Sequence, residues 1–257
     1  MATTTSGSRG GVPRGRDNTP AIREQLRAEI LTGTLVPGAE ISQARIAADF
    51  GVSRGPVREA FRLLESEGLI DARVNHRARV RGLSVHELEH LYSLRVINES
   101  LALTVSVPLF SEHELAELDE LAEVLRHPGD EPFDFEEWDQ VHQGFHERLL
   151  AHSGPRMLEL ADEWAAHTQR YRRAYAEGGR GLPPGAAEHV AMARLCRDRD
   201  ARGAAHLLAR HLSRAALTLI AQIEPTHEPV LLRAAIRQVL GPEGPSRPSE
   251  EHRRAGA

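Results

Sequence analysis

The pattern of apolar and polar positions changes character near residue 83 of the 257-residue sequence. Before that point, short helical patterns are separated by turns, and two short segments alternate apolar with polar residues. From Ser84 onward the pattern is helical throughout, and Ser84-Val-His-Glu87 and Ser111-Glu-His-Glu114 both fit the capping box that starts a helix. This change predicts a disordered arm, two domains and a disordered tail, with boundaries at 1–18, 19–82, 84–240 and 241–257.

The N-terminal domain is predicted to contain three helices and a hairpin. Thr19-Pro20 opens the first helix, "QARIAADF" forms the second, and the third begins at Ser53 after the turn at Gly51. The segments "LIDARV" and "ARVRG" flank "NHR" and alternate as strands do. This order predicts a winged helix-turn-helix. The remainder predicts an all-α antiparallel bundle, with helices near 84–107, 112–126, 134–153, 155–176, 185–199, 201–223 and 228–240.

The third helix has one apolar face and one basic face. In "GVSRGPVREAFRLLESEGLI" (residues 51–70), Val57, Phe61 and Leu64 follow the spacing of a buried face. Arg54, Arg58 and Arg62 recur every four residues on another face, which is the arrangement expected of a helix that docks on a polyanion. A solvated, purely structural arginine stripe is the alternative.

Composition narrows the class of protein. No apolar run reaches the roughly 20 residues that span a bilayer, and residues 1–18 lack a signal-peptide segment, so we expect a cytoplasmic protein without membrane contact. A single cysteine, Cys196, excludes an internal disulfide framework. The net charge is −5, and because residues 1–82 hold 13 Arg against 9 Asp and Glu, the excess of basic residues lies at the N-terminal end.

These motifs resemble a family of bacterial transcription regulators. The Pro-Gly turn in "LTGTLVPGAEI", the run "GVSRGPVREA" and the following "EGLI" resemble the DNA-binding domain of the GntR family. The helical remainder resembles the ligand-sensing FCD domain of its FadR subfamily. The resemblance implies a homodimer that binds palindromic double-stranded operator DNA and responds to a small metabolite.

Carried over by position, the resemblance implies a set of DNA contacts. Arg54 and Arg58 would contact bases or phosphates, since bidentate Arg–guanine pairing is the commonest specific contact in the major groove. Ser53 would bind a phosphate, Gly55 would let the backbone approach the DNA, and Arg45 on the preceding helix would contact the backbone. At the wing tip, Arg77 stands where the family has Gly, which predicts a changed or strained turn. We expect His76 and Arg77 to reach the minor groove.

A metal site is the second set of residues that the resemblance implies. Many FCD domains hold a divalent metal with one Asp and three His, and the matching positions here are His142, His146, His189 and His211. His142 replaces the usual Asp, and because imidazole suits Zn or Ni better than Mn or Mg, we expect Zn or Ni. Asp139 is a possible further ligand or a partner of one. The alternative is a metal-free pocket whose histidines bind a carboxylate directly.

Two other features bear on the sensor. Arg95 and Glu99 match the family's Arg-x-x-x-Glu on the first sensing helix, and Arg95 is expected either to anchor a carboxylate effector or only to pair with Glu99. His86 and His90 also lie four residues apart, at the start of that helix and off its apolar stripe, so we expect both to be solvated.

The function expected from these observations is transcription regulation. We expect a repressor controlled by a small organic acid, with no enzymatic activity. One alternative is a regulator for which the metal itself is the signal. The other is a helical-bundle metalloenzyme, which is disfavoured because no HExxH-type base is present and because four histidine ligands leave few open positions on the metal.

Overall fold

The computed structural model describes residues 18–73, 77–127, 134–180 and 185–241. Its contacts divide the chain into two compact units. The first ends at Ser84 and also takes in Gln169–Gly179, and the second contains Val85–Thr168 and the residues from Arg180 onward. The sequence had assigned 169–179 to the helical domain.

Among its described residues the first unit contains three complete helices, the last turns of a fourth and a small sheet. Its elements are α1 (Thr19–Leu31), β1 (Glu40–Ser42), α2 (Gln43–Phe50), α3 (Arg54–Ser66), β2 (Ile70–Arg73) and β3 (Arg77–Val80). The sheet order is β1-β3-β2, with both pairs antiparallel. Ala78 of β3 lies opposite Ile41 on one side and Ala72 on the other. The predicted winged helix-turn-helix is therefore confirmed, with β1 as an additional strand.

The apolar face predicted for α3 forms the centre of this unit. Val57 and Leu64 are fully buried, and Phe61 is 2% exposed. The turn before α3 is fixed at Gly51, whose φ of 65° lies in the left-handed region that glycine adopts without steric cost. Because one face of α3 is held by the core and its start is set by this turn, its opposite face points to solvent in a defined orientation.

The wing differs from the prediction at Arg77. The sequence placed Arg77 at the wing tip and expected a changed or strained turn there; its placement at the tip was wrong. Arg77 is the first residue of β3 and lies opposite Ser42 and Arg73 in the ladder. Among the described residues only Arg199 is a non-glycine residue with positive φ, so Arg77 carries no such strain. Residues 74–76, and His76 with them, lie outside the described residues.

The last turns of α7 belong to the first unit. The hydroxyl of Tyr171 accepts a hydrogen bond from the Ser84 backbone amide at 3.2 Å and donates one to the Ser84 carbonyl at 3.1 Å. Arg170 Nη2 donates to the carbonyl of Arg81 at 2.5 Å. These bonds tie this segment to the residues that follow β3.

The described residues of the second unit form helices and their connections, with no strand. Its helices are α4 (Val85–Ser106), α5 (Glu112–Arg126), α6 (Phe135–Leu149), α7 (Pro155–Tyr175, shared with the first unit), α8 (Ala186–Arg197), α9 (Ala201–Ile223) and α10 (Val230–Leu240). The predicted capping box at the start of α5 is present, with Ser111 Oγ accepting from the Glu114 amide and the Glu114 carboxylate accepting from the Ser111 amide. The mainly α fold is confirmed.

Helix α4 buries charge and exposes apolar side chains. It packs against α9 and α10. Arg95 is 2% exposed and Glu99 1%, whereas four large apolar side chains on the same helix are 44–57% exposed. We call these four the α4 apolar stripe: Leu94, Ile97, Leu101 and Val105. They recur every three or four residues, so they lie on one face of the helix.

No helix in the described ranges is both long and apolar enough to cross a lipid bilayer.

Candidate functional site

The N-terminal end of α3 is exposed and basic. Ser53, Arg54 and Arg58 are all exposed, and Ser53 makes no hydrogen bond that caps the helix, so its hydroxyl is available to a ligand. Arg45 on α2 is exposed as well. The first turn of a helix also presents backbone N–H groups and a partial positive charge, which favour phosphate.

The three stripe arginines differ in their partners. Arg62 forms an ion pair with Glu59, with its Nη2 2.6 Å from Oε1. Within the described ranges neither Arg54 nor Arg58 forms an ion pair. The two arginines nearest the start of α3 can therefore turn to an external anion without breaking an internal bond, whereas Arg62 cannot.

Gly55 lies between these arginines with open space beside it. A Cβ built on Gly55 would meet only Ser53 Oγ, at an ordinary contact distance of 3.8 Å. The fold itself therefore does not require glycine here, and close approach of DNA to this backbone stays a prediction.

The wing residue Arg77 is engaged within the sheet. Its Nη1 lies 3.1 Å from Glu40 Oε2, and Arg79 Nη2 lies 3.2 Å from Oε1 of the same carboxylate. Hydrogen bonds from Arg79 and Arg77 hold the pKa of Glu40 below its usual value. Arg77 is exposed, but its guanidinium is paired with Glu40. Contact with DNA would therefore require it to exchange the Glu40 carboxylate for a phosphate or a base.

The second unit brings the four predicted histidines together. His142 and His146 lie one turn apart on α6, His189 lies on α8 and His211 on α9. Each offers a ring nitrogen, and these four atoms lie within 4.8 Å of one another. All four side chains are buried, with 2–7% exposure. We call this group the four-histidine cluster.

The cluster has the chemistry of a metal site. Nε2 of His146 and both ring nitrogens of His189 are buried and have no hydrogen-bond partner in the described part of the chain. Buried imidazole nitrogens without partners are costly unless another ligand satisfies them. Burial lowers the pKa of His189 to about 2 and that of His146 to about 4. Both rings are therefore neutral near pH 7, which is the form that binds metal.

Glu188 orients one of the rings, a role that the sequence analysis did not assign. Its Oε2 lies 3.0 Å from His211 Nδ1, and its Oε1 pairs with Arg214 at 2.6 Å. A carboxylate bound to Nδ1–H leaves Nε2 as the ligand atom, an arrangement common around protein-bound zinc. Although burial raises it, bonding to His211 and Arg214 holds the pKa of Glu188 below its usual value. Helical periodicity does not reveal this bond, because it joins two helices.

Two acidic residues near the histidine motifs lie outside the cluster. Asp139 is fully buried but accepts a hydrogen bond from Gln143, and it is not among the residues whose ligand atoms converge. Asp200 caps α9 by accepting from the Gly203 amide at 2.9 Å. His142 stacks on Trp138 with ring centroids 4.6 Å apart, which fixes the plane of the ring that replaces the family's Asp.

Arg95 and Glu99 form a buried ion pair beside the cluster. Arg95 Nε lies 2.6 Å from Glu99 Oε1, and Nη1 donates to Thr168 Oγ1 at 2.9 Å. Glu99 Oε2 lies 3.7 Å from His146 Nδ1. Burial alone would raise the pKa of Glu99, but Arg95 and His146 lower it to about 2. The helix-orienting pair thus forms, and it also connects Arg95 to a cluster histidine.

A cavity of about 130 Å³ lies against this pair. It has room for several water molecules or a small metabolite. Its lining includes His146, Arg95 and three carboxylates. The carboxylates are Glu99, Glu147 and Asp162. Burial and the nearby Glu147 and Glu99 raise the pKa of Asp162, which is consistent with the negative charge of the lining.

Comparison with known proteins identifies the family. The profile of the bacterial regulatory proteins of the gntR family matches residues 18–80, and the FCD domain profile matches residues 90–214. The chain belongs to the gntR family. Its winged helix-turn-helix is therefore the DNA-binding part of a transcription regulator, and its helical unit is an FCD domain.

Relatives of this gntR-family chain are regulators as well. The HTH-type transcriptional regulator YdhC of Bacillus subtilis is 36% identical over 138 residues, which is 52% of this chain and 60% of that protein. The gluconate operon transcriptional repressor of B. subtilis is 31% identical over 105 residues, 41% of this chain and 43% of that protein. The match therefore spans less than two thirds of either relative.

Solved structures agree on the fold of the gntR-family chain. E. coli McbR/YncC is similar with a TM-score of 0.64 and 22% identity, covering 80% of this chain and 98% of that one. The family and its relatives are regulators rather than enzymes, so the metalloenzyme alternative is wrong.

Proposed function

We propose that the chain is a homodimeric repressor that binds a palindromic operator in the cytoplasm and is controlled by a small organic acid held at a metal ion. The observation that carries the proposal is the four-histidine cluster, buried inside the FCD domain next to a cavity. A fully buried group of four imidazoles has no evident structural use, since it contributes little apolar packing and leaves ring nitrogens without partners.

Operator binding rests on the exposed end of α3. Arg54 and Arg58 have no internal ion pair, so each can form the bidentate contact with guanine or a phosphate bond without first losing a partner. Ser53 and Arg45 flank them and would bind the phosphate backbone, which fixes register rather than sequence. A palindromic site is read by two such helices, one from each protomer.

The α4 apolar stripe supports the homodimer. Four large apolar side chains at 44–57% exposure form a continuous row on one face, and such rows mark interaction surfaces on soluble proteins. A second copy of the same helix is the occupant that we propose, because symmetric packing of a row on itself buries both copies at once. Leu101→Arg should then yield monomers in sedimentation, whereas Val124→Arg, an exposed valine on α5, should leave the dimer intact.

The ion fits the donor set. Four neutral imidazoles favour Zn or Ni over Mg or Mn, and an ion held by all four would accept an effector as one additional ligand. His142, His146, His189 and His211 would hold the ion, with Glu188 orienting His211. When bound, the ion would supply a Lewis-acidic, positively charged contact for an anionic ligand.

The effector would bind in the cavity beside the ion. Arg95 is already bonded to Glu99, so it can offer only its remaining N–H groups, and three carboxylates line the same space. A plain carboxylate would meet net repulsion there unless the divalent ion supplied the positive charge. We therefore expect effector binding to depend on the metal, with Arg95 as a secondary contact.

Measurements of operator affinity test the proposal. Operator sequences are first selected from random DNA with purified protein, and affinity is then measured with and without zinc and with a panel of small mono- and dicarboxylates. The proposal expects at least one carboxylate to weaken operator binding in zinc-loaded protein but not in metal-free protein. His189→Ala with His211→Ala should abolish this response, and His90→Ala, an exposed histidine on α4, should preserve it. A full response in metal-free protein would refute the role of the ion.

A further inference from the structure

A second group of metal-binding side chains lies at the start of α10. His86 and Glu89 are one turn apart on α4, and His227 lies in the segment that leads into α10. Each residue offers one ligand atom, and the three atoms lie within 4.8 Å of one another. The rings of His86 and His227 meet edge to face, with centroids 4.9 Å apart. None of these residues takes part in the four-histidine cluster.

Glu89 is held in position by the backbone of α10. Its Oε1 accepts hydrogen bonds from the amides of Leu231 at 2.7 Å and Leu232 at 3.2 Å. Oε2 lies 2.6 Å from His227 Nε2. The carboxylate is buried at 5% exposure, and although burial raises its pKa, these bonds hold the pKa below the usual value. Glu89 is therefore a preoriented oxygen ligand with one oxygen directed at the histidines.

We propose that His86, Glu89 and His227 bind a zinc ion that fastens the start of α10 to α4. Two imidazoles and one carboxylate form a donor set that zinc commonly takes with a water as fourth ligand. Zinc bonds of about 2.0–2.2 Å place neighbouring ligand atoms roughly 3.3–3.6 Å apart. The 2.6 Å between Glu89 Oε2 and His227 Nε2 must therefore lengthen, and separations of up to 4.8 Å must shorten, each by about 1 Å. His86 is exposed and on α4, so its ring can turn toward the other two and leaves a path for the ion from solvent.

His86 separates this proposal from a simpler explanation. The Glu89–His227 bond alone would join the two elements and would not require His86. A metal site requires all three, because two protein ligands rarely hold zinc against water. His86→Ala removes a ligand while leaving the Glu89–His227 bond and the cap of α10 in place, so this variant is expected to fold.

The experiment counts zinc ions per chain by titration with zinc chloride in competition with a chromophoric chelator. The full-length parent should bind about two ions, His86→Ala about one, and His90→Ala, one turn further along α4, the parental number. The His189→Ala/His211→Ala double variant should bind about one, and adding His86→Ala to it should leave none. As a second readout, zinc should slow amide hydrogen exchange in α10 of the parent and of His90→Ala but not of His86→Ala.

The result that overturns the proposal is a His86→Ala protein that binds as many ions as the parent with the same protection of α10. The same ion counts test the site at α10 and the four-histidine cluster independently. A parent that binds one ion, retained in the double variant and lost in His86→Ala, would support the site at α10 and refute the metal part of the proposed function. One ion lost in the double variant and retained in His86→Ala would do the reverse.

Discussion

Gly185 offers a way to move one ring of the four-histidine cluster without removing a ligand. It precedes α8, and a Cβ built on it would lie 2.7 Å from Cε1 and 3.0 Å from Nδ1 of His211. Real Cβ atoms essentially never approach a heavy atom so closely, and ordinary contact begins near 3.4 Å. In Gly185→Ala the ring, the loop or both must therefore retreat by about 0.7 Å.

The displacement is large compared with what a zinc site tolerates. Zinc–nitrogen bonds lie near 2.0–2.1 Å, and working sites keep within about 0.2 Å of such values. The ring is also held at Nδ1 by Glu188, so it cannot move without weakening that bond. Loss of the supporting bond alone commonly costs 10–100-fold in metal affinity. We therefore expect Gly185→Ala to bind zinc about 10–100-fold more weakly than the parent.

Zinc affinity is measured by competition with a chromophoric chelator, in a His86→Ala background so that ions at α10 do not contribute. Gly144→Ala is the matched control. It lies on α6 between His142 and His146, and a Cβ there would meet nothing within 4 Å, so zinc affinity should stay parental. Metal-free protein of each variant is compared by thermal unfolding. Parental zinc affinity in Gly185→Ala would show that His211 is not a ligand or that the loop yields freely.

Three further predictions concern the DNA-binding helix and the single thiol. Arg54→Ala and Arg58→Ala should each cost about 1–3 kcal/mol on the selected operator, and Arg62→Ala, whose partner is Glu59, should cost less; equal losses for all three in a titration would contradict this. Gly55→Ala should lower operator affinity while leaving thermal stability unchanged or raised by up to about 1 kcal/mol; a parental affinity would exclude close approach of DNA. Burial raises the pKa of Cys196 to about 12, so iodoacetamide at pH 8 should modify it only after unfolding; rapid modification of native protein would contradict its burial.

Local patterns predicted most of the architecture. The capping box at Ser111, the left-handed turn at Gly51 and the apolar spacing of α3 each depend on residues within a few positions of one another. Their physical causes act over one or two turns of chain, so the sequence alone is sufficient to read them. The wing was predicted less accurately. Arg77 was assigned to a turn, whereas pairing with β1 extends strand β3 to include it.

The supporting residues of the cluster could not be read in the same way. The four histidines were identified by resemblance, but Glu188 and Gly185 act on His211 across more than 20 positions of sequence. The Arg95–Glu99 alternatives were also open, because an i, i+4 pair looks the same in sequence whether it is exposed or buried. Whether the pair is buried depends on packing between helices. An exposed pair contributes little to stability, whereas removing one partner of a buried pair leaves a costly unpaired charge.

Helix α4 buries charged side chains and exposes large apolar ones, which is the reverse of the usual pattern in soluble proteins. A soluble monomer would turn Leu94, Ile97, Leu101 and Val105 inward and leave charged residues outside. Here the interior face carries Glu89 and the Arg95–Glu99 pair, both bonded to other helices of the unit. Charges are retained in an interior when they hold a ligand or specify an arrangement, and apolar rows are retained outside when another protein covers them. One helix would thus carry the contacts to α10 and the side of the effector cavity on its interior face, and the surface that we propose for a second copy on its exposed face.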